Sequence, residues 1–156
     1  LGQGISVATG MAIAGKRDAK DYRVFTLLGD GECNEGQVWE AAETASKYAL
    51  DNLVVIIDNN NLQNDNTCDV VMPTRSLAKK FEAFGFETFE IDGHDMNQIV
   101  DALEAARAQN GKPKCIVGKT VKGKGVSFME NVVAWHGMAP DDAQYAQAVQ
   151  EITEGF

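Results

Sequence analysis

The sequence has little of what would point to several common classes of protein. Its three cysteines, Cys33, Cys68 and Cys115, are scattered and form no CxxC pair, so neither a zinc site nor a disulfide framework is predicted. This cysteine usage fits a reduced, cytoplasmic setting. No apolar run approaches the roughly 18 residues that a transmembrane helix needs, so we expect no membrane association.

Positive charge is also scarce. The chain has 14 lysines and arginines against 23 acidic residues, for a net charge of -9. Nucleic acid requires a basic surface, so we expect no nucleic-acid partner. A small anionic ligand stays open, because a bound metal ion can reverse the local charge.

What is present is typical of one globular domain. Apolar residues make up 44% and charged residues 24% of 156 residues, which is enough for a hydrophobic core. We therefore predict a single domain over residues 1–156. Because the chain begins with Leu1 rather than methionine, we expect it to be a fragment that lacks upstream residues.

Short apolar runs alternate with amphipathic segments along the chain. This order predicts an α/β fold, with a mostly parallel sheet and helices on both faces. Asn34 and Asp141 are predicted helix caps, Gly85 is a predicted helix stop, and 58–74 and 122–140 are predicted loops. The predicted strands are 23–28, 53–57, 86–91 and 114–120, and the predicted helices are 1–15, 35–50, 76–84, 96–108 and 141–152.

Two polar motifs directly follow predicted strands. Gly29-Asp30-Gly31 follows the first strand, and Asn60 lies in an asparagine cluster after the second. Ligands of open α/β sheets bind at the carboxyl ends of strands. Magnesium prefers oxygen ligands and is usually held by one or two carboxylates together with substrate phosphates. One aspartate, one asparagine, a loop carbonyl and a diphosphate would meet that need.

Each motif alone has a simpler interpretation. A GDG tripeptide is usually a turn, and an asparagine cluster is usually a polar loop. Their placement after two apolar strands, with a predicted helix between them, is more specific than either motif. A helix that begins near Asn34 would add backbone N–H groups that favour an anion.

These motifs carry a resemblance to a known family. "GDGECNEG" followed by "IIDNNNLQ" resembles the thiamine diphosphate motif. "LGQGISVATGMAIAG", "IDGHDMNQI" and "KTVKGKGVSFMENVVAWHG" resemble segments of transketolase, and most closely the amino-terminal subunit of a transketolase split over two chains. The resemblance covers nearly the whole chain and implies the diphosphate-binding domain of the thiamine diphosphate-binding fold.

The resemblance also implies roles for particular residues. Magnesium would be held by Asp30, the Asn60 side chain and the Leu62 carbonyl. The two GDG glycines, Gly29 and Gly31, would contact the cofactor, with Gly31 reaching the diphosphate through its backbone. Leu1 would line the thiamine site, and Glu35 would lie near the subunit interface and link to the cofactor site of the neighbouring subunit. His136 is the implied catalytic residue, and it would lie near the diphosphate and the sugar.

The implied reaction transfers a two-carbon ketol unit from a ketose phosphate to an aldose phosphate. The cofactors would be thiamine diphosphate and Mg²⁺. The partner would be a C-terminal transketolase subunit that carries the pyrimidine-binding domain, in a homodimer or heterotetramer. The family's early histidines and its activating glutamate are not in this chain, so we expect the isolated chain to be inactive.

Three other functions stay open from the sequence. One is another thiamine diphosphate enzyme, such as a 2-oxoacid dehydrogenase subunit or deoxyxylulose phosphate synthase. The second is a non-catalytic remnant that docks to a partner. The third is a metal-dependent phosphohydrolase that uses Asp30.

Other polar residues have structural alternatives. His94 is expected to cap the helix that follows it, and Cys33 has no evident base that would make it a nucleophile. Three lysines in "KTVKGKG" either form a solvated loop or attract sugar phosphates: Lys119, Lys122 and Lys124. The same segment lacks P-loop spacing, which argues against ATP.

Overall fold

Four short apolar segments form a parallel sheet in the computed structural model, which describes residues 1–155; Phe156, the last residue of the predicted domain, lies outside the described residues. The strands lie in the order β1-β2-β4-β3, and every neighbouring pair is parallel. Their bounds are β1 Val24–Gly29, β2 Leu53–Asn59, β3 Glu87–Asp92 and β4 Lys114–Lys119.

Helices cover both faces of this sheet, because side chains alternate between the faces along each buried strand. Val55 and Ile57 of β2 belong to the larger core, which they share with three helices, whereas Val54 packs with a fourth helix on the opposite face. The predicted α/β fold is confirmed. The helices are α1 Gln3–Arg17, α2 Gly36–Lys47, α3 Cys68–Val71, α4 Leu77–Ala83, α5 Met96–Ala105 and α6 Asp142–Glu154.

The cap predictions have mixed outcomes. Asp141 caps α6 in a reciprocal capping box with Gln144, and Gly85 follows α4 with a φ of 90°, so both predictions are confirmed. The prediction for Asn34 is wrong. Residues 31–34 form a 3₁₀ turn before α2, and the Asn34 side chain instead donates to the carbonyl of Met72 at 3.2 Å.

His94 does not cap α5 either. Asp95 takes that position, because its carboxylate accepts hydrogen bonds from the backbone of Asn97 and Gln98 at 2.9 and 3.3 Å. His94 Nε2 instead accepts a hydrogen bond from the backbone N–H of Val121 at 2.8 Å. His94 therefore ties the β3–α5 connection to the loop after β4.

The two predicted loops contain short helical turns that the sequence pattern did not show. The first contains α3, a single turn, and the second contains a 3₁₀ turn over Val133–His136. Within residues 1–155, no helix combines the length and the apolar composition that a membrane crossing requires.

Candidate metal and diphosphate site

The ends of β1 and β2 bring the two polar motifs together. In the parallel register Gly29 lies beside Asp58, and the backbone N–H of Asp30 donates to the Asp58 carbonyl at 3.1 Å. The GDG turn and the asparagine cluster therefore meet at the same edge of the sheet.

Asp30 is a buried carboxylate, with 1% of its surface exposed. Its Oδ1 accepts from the N–H of Gly31 at 2.7 Å, and its Oδ2 accepts from the N–H of Asn61 at 2.5 Å. Burial raises the pKa of Asp30 above its usual range, although these two N–H groups act to lower it. The ion pairs found in residues 1–155 do not include Asp30, so a cation at this position would compensate its charge.

Asn60, the residue before Asn61, adds an amide oxygen at the same edge of the sheet. Its Oδ1 accepts from the backbone N–H of Leu62 at 2.9 Å, and its Nδ2 donates to Asp58 Oδ2 at 3.2 Å. An amide oxygen has two lone pairs, so one stays available to a metal ion. Leu62 forms an antiparallel bridge with Thr67, which closes the loop that follows β2.

The ligand chemistry fits magnesium bound together with phosphate. Carboxylate, amide and main-chain oxygens are the hard ligands that Mg²⁺ prefers. In the described part of the chain, no group of three or more His, Cys, Asp or Glu side chains is placed to hold a metal ion. The protein thus offers part of a coordination sphere, and phosphate oxygens would complete it.

A cavity of about 730 Å³ opens over these groups. The structure brings every predicted site residue to its wall, although those residues come from widely separated parts of the chain. They are Leu1, Gly29, Asp30, Gly31, Glu35, Asn60, Leu62 and His136. Their roles toward a cofactor stay predictions.

Two lysine side chains also line the cavity. Lys122 lines its wall, as does Lys80, whose ammonium group lies 5.3 Å from the ring centre of Trp39. The sequence motif grouped Lys122 with two other lysines, but Lys119 and Lys124 line a separate cavity beside β3. Lys80 was missed, because beside Lys79 on a short helix it gave no signal of its own.

Glu32 is a second residue that sequence reasoning missed. Its carboxylate accepts from the N–H of Gly2 at 2.8 Å and from the N–H of Gly29 at 3.1 Å. Gly2 has a φ of 73°, and a Cβ on it would lie 2.8 Å from Cβ of Glu35. Glu32 therefore joins the start of α1 to the end of β1 and holds Leu1 beside the cavity.

The loop after β4 carries His136 to the cavity. Trp135 Nε1 donates to the Phe128 carbonyl at 2.9 Å, and the two rings meet edge to face with centres 5.4 Å apart. Ser127 is held in turn by hydrogen bonds to the Glu151 carboxylate of α6. A local aromatic contact and α6 thus fix the loop that presents His136.

Cys33 is no nucleophile in this structure. The side chain is buried, and burial, aided by the charges of Glu32 and Asp30, raises its pKa to about 12. The thiol stays protonated near neutral pH, which agrees with the interpretation of the sequence.

Comparison with known proteins gives one consistent family. The family described as "Transketolase, thiamine diphosphate binding domain" matches residues 1–154. One relative is a subunit of the apulose-4-phosphate transketolase of Phocaeicola vulgatus, to which the chain is 44% identical over 154 residues, or 99% of this chain and 55% of that protein. Another is the 6-deoxy-6-sulfo-D-fructose transketolase subunit SqwG of a Clostridium species, which is 42% identical over 152 residues, or 97% of this chain and 55% of that protein.

Solved structures show the same fold. The crystal structure of transketolase from Campylobacter jejuni superposes with a TM-score of 0.91 at 33% identity, over 98% of this chain and 25% of that chain. The chain spans about half the length of the curated relatives described above.

Proposed function

The chain belongs to the transketolase family, as its thiamine diphosphate binding domain, and on that premise we propose that it holds the magnesium and diphosphate end of this cofactor for ketol transfer. The reaction moves a two-carbon ketol unit from a ketose phosphate to an aldose phosphate. Another chain supplies the pyrimidine-binding domain.

The observation that carries this proposal is the buried Asp30 carboxylate, which faces a cavity and has no counter-charge among the ion pairs of the described residues. Asp30, the Asn60 side chain and the Leu62 carbonyl would hold Mg²⁺. The Gly31 backbone and Lys122 would bind the diphosphate, and Leu1 would contact the thiamine. In that arrangement the charge of Asp30 would be compensated, and oxygen ligands from a phosphate would be needed beside those of the protein.

Thiamine diphosphate, when bound, would supply the carbanion stabilisation that ketol transfer requires. This chain supplies position and electrostatics. His136 at the cavity wall would donate a hydrogen bond to the diphosphate or to the sugar phosphate. Glu35 at the same wall would reach toward the cofactor of a neighbouring subunit.

The partner is proposed from the relatives. Two of them, the apulose-4-phosphate and the 6-deoxy-6-sulfo-D-fructose enzymes, are described as transketolase subunits. We propose that the present chain likewise works in the cytoplasm with a separate C-terminal subunit, as a homodimer or a heterotetramer. We propose that it has no transferase activity alone, and that its substrates are anionic sugars like those in the relatives' names.

The test combines the chain with the pyrimidine-binding subunit of its own source, thiamine diphosphate and Mg²⁺. We expect two-carbon transfer between sugar phosphates and no turnover of 2-oxoacids, with Asp30→Asn inactive. Turnover of 2-oxoacids instead would favour the rival thiamine enzymes. Partner binding that is unchanged by cofactor and by Asp30→Asn, without turnover, would favour a docking remnant. Phosphate release without thiamine diphosphate would favour a phosphohydrolase.

A further inference from the structure

Asp58 lies between the site and the neighbouring strand, at the end of β2. Its Oδ2 accepts from Asn60 Nδ2 at 3.2 Å, and its Oδ1 accepts from the hydroxyl of Thr120. Thr120 directly follows β4, the strand paired with β2, and its backbone N–H donates to the Asn59 carbonyl at 3.2 Å. Two adjacent strand ends are thus joined through one carboxylate.

These contacts decide which way the Asn60 amide points. A carboxylate accepts hydrogen bonds but cannot donate them, so it selects the NH₂ end of the amide. The backbone N–H of Leu62, at 2.9 Å, selects the oxygen end. Both contacts require the same assignment of Oδ1 and Nδ2, and they leave a lone pair of the oxygen free.

We propose that Asp58 and Thr120 are positioning residues: Thr120 holds the Asp58 carboxylate, and Asp58 holds the Asn60 amide with its oxygen presented for magnesium. The part that concerns magnesium rests on the proposed function. The part that concerns the amide orientation rests only on the three contacts.

The alternative is that Asp58 itself binds the metal. Asp58 lines the cavity together with Asp30. Its negative charge raises the pKa of Asp30, as burial does. Both of its oxygens, however, already accept hydrogen bonds from Asn60 and Thr120. Only a direct ligand role would make Asp58 as important as Asp30 while leaving Thr120 dispensable.

The first experiment measures Mn²⁺ affinity by EPR titration with saturating thiamine diphosphate. Thr120→Val removes the hydroxyl and keeps the shape, and we expect it to weaken Mn²⁺ binding about tenfold, as outer-shell changes do. Thr120→Ser keeps the hydroxyl and should restore wild-type affinity. Thr88→Val is the matched control. The hydroxyl of Thr88, on β3, donates a hydrogen bond to the Glu82 carboxylate on α4, and neither residue lines the cavity.

A double-mutant cycle separates positioning from general structure. If Thr120 acts through Asn60, then Thr120→Val should change affinity less than twofold once Asn60→Ala is present. An equal loss in both backgrounds would overturn the proposal. The proposal would also be overturned if Asp58→Asn lowered Mn²⁺ affinity as much as Asp30→Asn does while Thr120→Val bound Mn²⁺ like wild type. That result would make Asp58 a metal ligand.

The second experiment needs no cofactor. In the metal-free chain, the NMR signals of the Asn60 side-chain NH₂ should shift in Thr120→Val and stay in place in Thr120→Ser and Thr88→Val. Unchanged NH₂ signals in Thr120→Val would overturn the proposed orientation. If the wild-type chain binds no Mn²⁺ even with its partner subunit, the proposed function falls, whereas this NMR comparison still decides the orientation.

Discussion

The two ends of the same parallel sheet differ in whether their buried charges have oppositely charged partners. At the amino-terminal ends of the strands, acidic and basic side chains neutralise one another. At the carboxyl-terminal ends, Asp30 is buried without a partner among the ion pairs of residues 1–155. The buried charge at the first end is neutralised within this chain, whereas at the second end the proposed function assigns a cation to Asp30.

Lys114 shows how fully a buried charge is partnered at the amino-terminal ends of the strands. It is 0% exposed, yet its ammonium group lies 3.0 Å from the Glu87 carboxylate and donates to Asn110 Oδ1 and the Lys112 carbonyl at 2.6 and 2.8 Å. Asp51 nearby pairs with Lys16 at 2.7 Å. Buried charge with this many partners is structural.

The difference teaches where to look for function. Hydrogen bonds from Asn110 and Lys114 lower the pKa of Glu87, whereas burial raises the pKa of Asp30. Both carboxylates accept hydrogen bonds, so hydrogen bonding alone does not distinguish them. The carboxylate without a counter-charge is the one that faces a cavity of about 730 Å³.

The largest expected effect comes from removing the unpaired charge. Asp30→Asn should lower the affinity for thiamine diphosphate measured with Mg²⁺ by at least about 100-fold, because the metal loses a buried anionic ligand. Isothermal titration calorimetry measures this, and Asp92→Asn, at the end of β3, is the control. An Asp30→Asn chain that binds like wild type would remove the distinction between the two ends.

Breaking the paired end should instead affect stability. Glu87→Gln leaves Lys114 buried without its counter-ion and should lower the free energy of unfolding by about 2 kcal/mol, less than for a fully buried pair because Glu87 is partly exposed. Urea unfolding measures the change. Glu104→Gln, in the exposed pair with Arg107, is the control and should change stability by about 0.5 kcal/mol or less. Equal effects would contradict a structural role for Lys114.

The two ends should respond to pH with opposite signs in the metal-free chain. Glu87 has a lowered pKa, so its contribution is present above the unfolded value of 4.5 and is lost as pH falls through the folded value. Asp30 has a raised pKa, so its contribution to stability falls as pH rises above 3.8. The free energy of unfolding should be measured across acidic pH. Glu87→Gln should make it less dependent on pH below 4.5, and Asp30→Asn should raise it toward neutral pH relative to wild type. The same slope in both variants would be evidence against the comparison.

The smallest expected effect concerns the thiol behind the site. With a pKa of about 12, Cys33 should react with a thiol reagent in the native chain at least about tenfold more slowly than in urea. Mass spectrometry of the modified peptides measures this rate. Fast native labelling of Cys33 would show that the carboxyl-terminal end is more open than described.

The sequence predicts most of the sheet and less of the loops. Apolar runs such as 53–57 directly predict strands that are buried on both faces. The helices between these runs predict that neighbouring strands are parallel. Asn34 was assigned wrongly because residues 31–34 form a 3₁₀ turn, and local cap signals cannot tell such a turn from the first turn of an α-helix. The turn α3 has four residues, which is too short for a periodic pattern.

The site was predictable where a short motif follows a strand. Asp30 and Asn60 have that signal. Glu32, Asp58 and Thr120 were missed, because each depends on a partner that is distant in the sequence. Glu32 accepts from Gly2, 30 positions away, and the Thr120 contact with Asp58 joins residues 62 positions apart. Such partners become visible only when the strand order places two loop ends side by side.

Equilibrium dialysis with Mn²⁺ tests the central claim most directly, with the chain and its pyrimidine-binding subunit present, with and without thiamine diphosphate. The account predicts one Mn²⁺ per chain that is bound tightly only when the cofactor is present, and that is lost in Asp30→Asn but kept in Glu87→Gln. Mn²⁺ that is retained in Asp30→Asn, or no Mn²⁺ with the cofactor present, would contradict the claim that the carboxyl-terminal end of the sheet is built for a cation.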